Sequence, residues 1–243
     1  MNNPSPLIGA PLAPTMFKLA VPGVIGAVLT TMPGLLEATF LKESGTGALA
    51  AVALVYPLVI LSGMFSAGAF GGAISGFIAR AIGAGNDDEA SAVLVCAVII
   101  SLAGGFLMWI LVVLLGPFLY QYASDSPTIT NAAHYYATLL FPAIPAYWLV
   151  NMLSSVLRGS GDMIRPAIVA AILLATYILC ALLLIPTQGA TINEALKGAA
   201  IAMASAYLLA SALVTYFIAH KSQPVRFRIA AFRPALLTKI LRQ

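Results

Sequence analysis

One acidic side chain lies inside an apolar stretch of the sequence and is the residue best suited to chemistry. Of the eight acidic residues, only Glu37 falls within a predicted membrane-spanning segment, and the others lie in predicted loops or at span ends. A carboxylate at membrane depth is costly, so we expect it to face a cavity or a polar partner. There it could exchange a proton or a sodium ion, which is what an ion-driven exporter requires. The alternative is an interfacial Glu37 paired with Lys42.

Other polar and aromatic residues of the apolar stretches could line the same cavity. Asn151 is the only side-chain amide well inside a predicted span, where it could coordinate a cation or join two helices by a hydrogen bond. Tyr177 and Thr39 are further candidates for a cavity or cation site. Tyr56 and Tyr147 could stack on a substrate or pack between helices. Prolines that could kink their helices are Pro22, Pro33, Pro142 and Pro145.

The sequence offers no pattern for enzymatic chemistry. It contains no G-x-x-x-x-G-K-[ST] phosphate loop, so it indicates no ATPase. No Cys/His cluster has metal-ligand spacing, and no nucleophile stands beside a base. We therefore predict no catalytic residue, no metal and no cofactor other than a coupling proton or sodium ion. Cys96 and Cys180 fall in apolar runs and are interpreted as small hydrophobic residues.

The composition is that of a membrane protein. Of the 243 residues, 61% are hydrophobic and 8% are charged, and the mean hydropathy is +0.99. A soluble domain carries roughly a quarter charged residues. The apolar runs are long and continuous, which favours helices over the alternating strands of a barrel. We predict an all-α polytopic protein with six transmembrane helices, at residues 17–41, 48–80, 91–116, 133–157, 164–186 and 196–219.

The charge distribution predicts the orientation of these spans. With the N-terminus inside, ten Lys and Arg residues lie in inner segments, and only Lys42 and Lys197 lie in outer ones. This agrees with the positive-inside rule and predicts that both termini are cytoplasmic. No charged region precedes the first span, so we expect that span to be retained. The predicted organisation is a cytoplasmic segment (1–16), a transmembrane lobe (17–219) and a basic amphipathic linker or tail (220–243), in the plasma membrane or a bacterial inner membrane.

Three glycines of the second span recur at four-residue spacing, Gly68, Gly72 and Gly76, with Gly71 and Ser75 beside them. A stripe of small residues is typical of a surface that another helix approaches closely in a membrane. We therefore predict a helix-packing face along this stripe.

Several segments resemble the N-terminal lobe of the multidrug and toxic compound extrusion (MATE) family. Pro22, the carboxylate of Glu37 fifteen residues later, and the alanine-rich segment 45–52 are together similar to the family pattern around the first span. Other segments are similar to the family's turns after spans two and four and to its inter-lobe linker. These segments are 79–86, 157–162 and 226–234.

The resemblance implies export of cationic, amphiphilic drugs in exchange for protons or sodium ions, with alternating access between two lobes. It implies that Pro22 bends the first helix and that Glu37 takes the cation-site position. Three features depart from the family pattern. Glutamate replaces the commoner aspartate at Glu37, and Tyr177 and Ala181 stand where ion-coupled members often carry Asn and Asp. Finally, the sequence supplies six of the family's twelve spans.

The expected partners are membrane lipid, a small organic cation and a second lobe, which a homodimer or another chain could supply. Nucleic acid is not expected, because the basic residues lie in loops. One alternative is a flippase-like lobe for lipid-linked oligosaccharides, although its cavity should be cationic and no Lys or Arg lies well inside a predicted span. Another is a truncated, non-transporting fragment. Segment 232–243 is predicted to form an amphipathic helix on the inner leaflet.

Overall fold

The computed structural model describes residues 12–186, 189, 191–219, 236, 238 and 240. Within this part of the chain every regular element is helical, and six helical spans are long and apolar enough to cross a membrane. The predicted all-α, six-span fold is therefore confirmed. Most of the predicted N-terminal segment and most of the predicted basic tail, with its amphipathic helix, lie outside the described residues.

Eight α-helices form the six spans of the described chain. The first, third, fifth and sixth spans are single helices, whereas the second and fourth are each divided in two. The helices are α1 (Leu12–Leu41), α2 (Thr46–Gly63), α3 (Gly71–Gly83), α4 (Asp87–Ala123), α5 (Pro127–Leu140), α6 (Ile144–Gly159), α7 (Ile164–Leu184) and α8 (Ile192–Ala219). A π-helical segment, Met64–Phe70, joins α2 to α3, and a 3₁₀ turn, Phe141–Ala143, joins α5 to α6.

Side-chain caps explain where two of these helices begin. Asn86 Oδ1 accepts a hydrogen bond from the backbone N–H of Glu89, and Asn86 Nδ2 donates to Glu89 Oε2, both at 3.0 Å. At α8, Glu194 Oε2 accepts from the backbone N–H of Thr191 at 2.9 Å, while Thr191 Oγ1 accepts from the Glu194 N–H at 3.3 Å. Such reciprocal bonds satisfy donors that a helix N-terminus leaves free. Gly85 has φ +68°, which suits glycine in the α3–α4 turn.

Helix α6 lies at the centre of the lobe, and α4 lies at its edge. Helix α6 packs against α3, α4 and α8, and most of its side chains are buried. In contrast, α4 exposes large apolar side chains along one face, including Leu107, Leu114 and Phe118. An exposed apolar face is the expected surface toward lipid, where every backbone polar group is already paired within the helix.

The small-residue stripe of the second span packs against α6 through Gly71 and Ser75, and not through the three glycines at four-residue spacing. A Cβ atom added at Gly68 or Gly72 would meet nothing within 4 Å, and one at Gly76 would meet only Arg80 of its own helix. The close approaches lie at the two residues beside them. A Cβ atom at Gly71 would lie 2.7 Å from Ser155 Oγ on α6, and one at Gly159 of α6 would lie 2.6 Å from the carbonyl oxygen of Ser75. The predicted helix-packing face is therefore confirmed at Gly71 and Ser75 but not at the other three glycines, because spacing identifies a face and not what lies opposite it.

The prolines have different positions relative to the helix breaks. Pro142 lies in the 3₁₀ turn that divides the fourth span, and Pro145 lies in the first turn of α6. Pro22 and Pro33 lie inside α1, which continues through both, so kinks at these two residues stay a prediction. The π-helical segment that interrupts the second span was not predicted from the sequence. Its Ser66 Oγ donates to the carbonyl of Ser62 at 2.9 Å.

Candidate functional site

Glu37 is the buried carboxylate of the lobe. It lies on α1, one helical turn beyond Pro33, with 2% of its surface exposed. The Tyr136 hydroxyl on α5 donates a hydrogen bond to Glu37 Oε1 at 2.5 Å. Such a bond stabilises a charged acceptor more than a neutral one. Lys42 does not pair with Glu37, because its Nζ lies 3.7 Å from Glu43 Oε1 at the surface. The Glu37–Lys42 pair of the interfacial alternative is therefore not formed.

Glu37 lines a cavity of about 350 Å³, which we call the carboxylate cavity. Helices α1, α2, α5, α6, α7 and α8 and the π-helical segment contribute to its wall. Four tyrosines share this wall with Glu37, and two of them are close neighbours: the rings of Tyr147 and Tyr207 have centroids 4.7 Å apart. The tyrosines are Tyr56, Tyr136, Tyr147 and Tyr207. Aromatic faces beside one carboxylate suit a flat ligand that is cationic or amphiphilic.

Asn151 also lines the carboxylate cavity, but it contacts the π-helical segment instead of Glu37. Its Nδ2 donates to Ser66 Oγ at 2.8 Å. A second bond fixes the same region, because Trp148 Nε1 donates to Ser62 Oγ at 2.7 Å. Buried side-chain hydrogen bonds of this kind satisfy polar groups that lipid could not. The structure therefore places Asn151 at the cavity and also gives it a role in joining two spans.

The other two predicted polar residues do not line the cavity. Tyr177 is fully buried behind Glu37, with its ring edge-on to Phe40 of α1 at a centroid distance of 6.2 Å. Its hydroxyl has no hydrogen-bond partner among the described residues. Thr39 is exposed. Residues two apart on an α-helix point to nearly opposite sides, and Thr39 is absent from the cavity wall that Glu37 lines.

A second cavity, of about 310 Å³, adjoins the first, and we call it the arginine cavity. The two cavities share Thr30, Ala67 and Asn151 in their walls. The arginine cavity extends to Arg158 at the end of α6, and small residues of α1 and α7 face it. The predicted spans place Arg158 in the turn after the fourth span, so its position in a cavity wall was not predicted. Helix α6 continues to Gly159 and carries Arg158 into the wall.

Sequence reasoning missed Tyr136 and Tyr207 as members of the site. Tyr136 is 99 residues from Glu37 in the chain, so no local pattern links them. The available signal was indirect: a buried carboxylate requires a hydrogen-bond donor, and tyrosines within spans are the natural candidates. Among the described residues, no group of three or more His, Cys, Asp or Glu side chains could hold a metal ion.

A helical membrane lobe with one buried carboxylate on a tyrosine-lined cavity is the kind of unit from which secondary transporters are built. The comparisons with known proteins agree. A family model described as MatE matches residues 22–183, and the chain belongs to this family of transporters.

Similar proteins are about twice as long as this chain. A FAD transporter from Shewanella oneidensis is 25% identical over 216 residues, which are 87% of this chain and 47% of that protein. A crystal structure of MATE in the bent conformation superposes with a TM-score of 0.85 at 26% identity, over 94% of this chain and 50% of the other. A MOP superfamily transporter from Pyrococcus furiosus is described as having a binding pocket of reverse polarity. It superposes with a TM-score of 0.80 at 25% identity, over 94% of this chain and 50% of the other. This chain therefore spans about half the length of the relatives that it matches.

Proposed function

We propose that this chain is one lobe of an ion-coupled exporter of amphiphilic organic compounds, and that Glu37 binds and releases the coupling ion. One observation carries the proposal: Glu37 is buried, held by Tyr136 and open to a cavity lined by tyrosines. A buried carboxylate is energetically costly in a membrane protein, so it is expected where it binds a charged species. The lipid-linked oligosaccharide flippase remains the alternative substrate class, and a fragment without transport activity is the alternative to any transport.

The proposed cycle is a competition for the charge of Glu37. When the carboxylate is ionised, an organic cation binds in the carboxylate cavity, with its charge near Glu37 and its ring against the tyrosines. When Glu37 takes up a proton, the attraction is lost and the cation leaves. The substrate and the proton thus favour different states of one side chain, which is the differential affinity that coupling requires.

We propose a proton as the coupling ion. The polar group bonded to Glu37 is the hydroxyl of Tyr136, which donates its hydrogen to the carboxylate. A sodium ion would need several oxygen atoms directed at one point to replace its hydration shell. Asn151, the one amide that the sequence offered as a ligand, hydrogen-bonds Ser66 instead.

We further propose that a second lobe covers the open side of the carboxylate cavity. Ile60 and Met64 in the wall of the cavity are exposed apolar side chains. Transporters of this type bind substrate between two repeats that rock against each other. The second lobe would come from a second copy of this chain or from another chain. The mass of the protein in lipid nanodiscs distinguishes a monomer from a dimer.

The expected location is a bacterial inner membrane, with both termini in the cytoplasm. The positive-inside charge distribution supports this orientation. Labelling of single cysteines introduced into the α1–α2 and α3–α4 turns, with a reagent that cannot cross the membrane, tests it. The first turn should label from outside the cell and the second should not.

The transport proposal is tested by ethidium efflux from cells that lack their own multidrug exporters. We expect the chain, expressed with its second lobe, to lower cellular ethidium. The Glu37→Gln variant should abolish efflux while its expression is unchanged, because the amide cannot exchange a proton. Glu43→Gln is the matched control, since Glu43 is an exposed carboxylate six residues further on. Efflux by Glu37→Gln equal to that of the unchanged protein would contradict the role of Glu37.

A further inference from the structure

We propose that Arg158 forms a binding site for the anionic group of an aromatic substrate, such as a phosphate, sulfonate or carboxylate, in the arginine cavity. This inference deepens the proposed function. It extends the substrates from organic cations to amphiphiles that carry a negative end. It rests on the position of Arg158, on its hydrogen bonding and on the polar residues that share its face of α6.

Arg158 is partly buried and carries a charge that no described acidic residue neutralises. Its one hydrogen bond among the described residues runs from Nη2 to Ser155 Oγ at 2.8 Å. The nearby Asp162 is already engaged, since its Oδ2 lies 3.2 Å from Arg165 Nη1. A guanidinium has five N–H donors in a planar fork that matches the oxygens of a phosphate or carboxylate. Arg158 therefore has donors left for an anion.

The walls of the arginine cavity suit such a ligand. Asn151, Ser154 and Thr30 add polar side chains, and no acidic residue lines this cavity among the described residues. On the α1 side, Gly23 has nothing within 4 Å of where a Cβ atom would lie, so space is open there. An anion would thus meet a positive charge and hydrogen-bonding groups without a like charge beside it.

One face of α6 connects the two cavities. Tyr147, Asn151, Ser154 and Arg158 follow one another at spacings of four, three and four residues, which places them along one side of the helix. Tyr147 and Asn151 line the carboxylate cavity, and Asn151, Ser154 and Arg158 line the arginine cavity. With a rise of about 1.5 Å per residue, Tyr147 and Arg158 are roughly 16 Å apart along the axis. A ligand whose aromatic ring stacks on Tyr147, and whose phosphate is joined to that ring by a flexible chain, would fit this separation with its phosphate at Arg158.

A purely structural role for Arg158 is the alternative to be tested. The C-terminus of a helix carries partial negative charge, which favours a cation there. The bond to Ser155 could then be its only role. A capping arginine would stabilise the protein equally whatever ligand is present, whereas an anion site would distinguish ligands that differ only in charge.

Riboflavin and FMN are the probes, because they share a fluorescent ring system and differ by one phosphate. Binding is followed by flavin fluorescence on the full chain in lipid nanodiscs. We expect FMN to bind at least about tenfold more tightly than riboflavin, a difference of about 1.4 kcal/mol. Arg158→Gln should remove this preference and leave the affinity for riboflavin unchanged. Arg158→Lys should keep part of it, because a lysine retains the charge without the planar fork.

Arg165→Gln is the matched control, because Arg165 lies near the same end of the lobe but pairs with Asp162 and does not line the cavity. It should keep the preference for FMN. Three outcomes would overturn the proposal: equal binding of both flavins, an equal loss of both in Arg158→Gln, or no binding of either at about 1 mM. None of these bears on Glu37, whose role in ethidium efflux is measured separately.

Discussion

Removal of the Tyr136 hydroxyl should change the pH at which the lobe binds an organic cation. In Tyr136→Phe the ring that fills the space beside Glu37 remains, and only the hydrogen bond to Glu37 Oε1 is lost. That bond stabilises the ionised carboxylate. Without it the protonated form is favoured, so a higher pH is needed before Glu37 is ionised and the cation can bind. The pH of half-maximal binding should therefore rise.

The size of this rise follows from the energy of the bond. A hydrogen bond to a charged group contributes about 1.5–3 kcal/mol. One pH unit corresponds to about 1.36 kcal/mol of difference between two protonation states. The midpoint should therefore move upward by about 1–2 pH units. The burial of Glu37 supports a value in this range, because little water is available to replace the lost donor.

The assay is ethidium binding, measured by fluorescence anisotropy on the purified protein in nanodiscs over a range of pH. Ethidium keeps its positive charge throughout, so the pH dependence belongs to the protein. Tyr135→Phe is the control, since Tyr135 precedes Tyr136 in α5 and is absent from the cavity wall. It should leave the midpoint unchanged. An unchanged or lowered midpoint in Tyr136→Phe would refute the role given to this hydrogen bond.

Two further predictions concern the stability of the lobe and are checked by thermal unfolding in detergent. Gly105→Ala should destabilise it by about 1–3 kcal/mol, because the new methyl group would lie 2.5 Å from the Cα atom of Pro145. Gly72→Ala should be neutral or stabilising by up to about 1 kcal/mol, because a Cβ atom there meets nothing within 4 Å. Equal destabilisation by Gly105→Ala and Gly72→Ala would contradict the packing described. Tyr177→Phe should leave the melting temperature unchanged or raise it, because it removes a buried hydroxyl that lacks a partner among the described residues. A decrease of more than about 1 kcal/mol in the free energy of unfolding would show that this hydroxyl is hydrogen-bonded.

The sequence predicts the fold well because lipid imposes a simple rule. A span must be a long apolar helix, so six such runs predict six spans in the right order. The ends are less certain, because helices can extend beyond the hydrocarbon region. Helix α4 continues to Ala123, seven residues beyond the predicted end at 116, and α6 continues to Gly159. The second of these extensions brings Arg158 into a cavity.

The site is predicted only in part, because it is assembled from residues far apart in the chain. Glu37 is identifiable from the sequence, because a charged side chain within an apolar run is energetically costly, and the structure places it at a cavity. Its donor Tyr136 follows from packing of α1 near α5, which no local pattern encodes. Thr39 is a candidate by proximity in sequence but lies on another face of α1. Ser62 and Ser66, at and beside the π-helical segment, likewise hydrogen-bond residues of α6 that are more than eighty positions away in the chain.

Proton release on substrate binding tests the central claim most directly. Ethidium is added to the purified protein in a weakly buffered solution, at a pH where Glu37 is partly protonated, and the change in pH is recorded. The account predicts that the unchanged protein and Glu43→Gln release protons as ethidium binds, and that Glu37→Gln releases none. Proton release by Glu37→Gln equal to that of the unchanged protein would contradict the account.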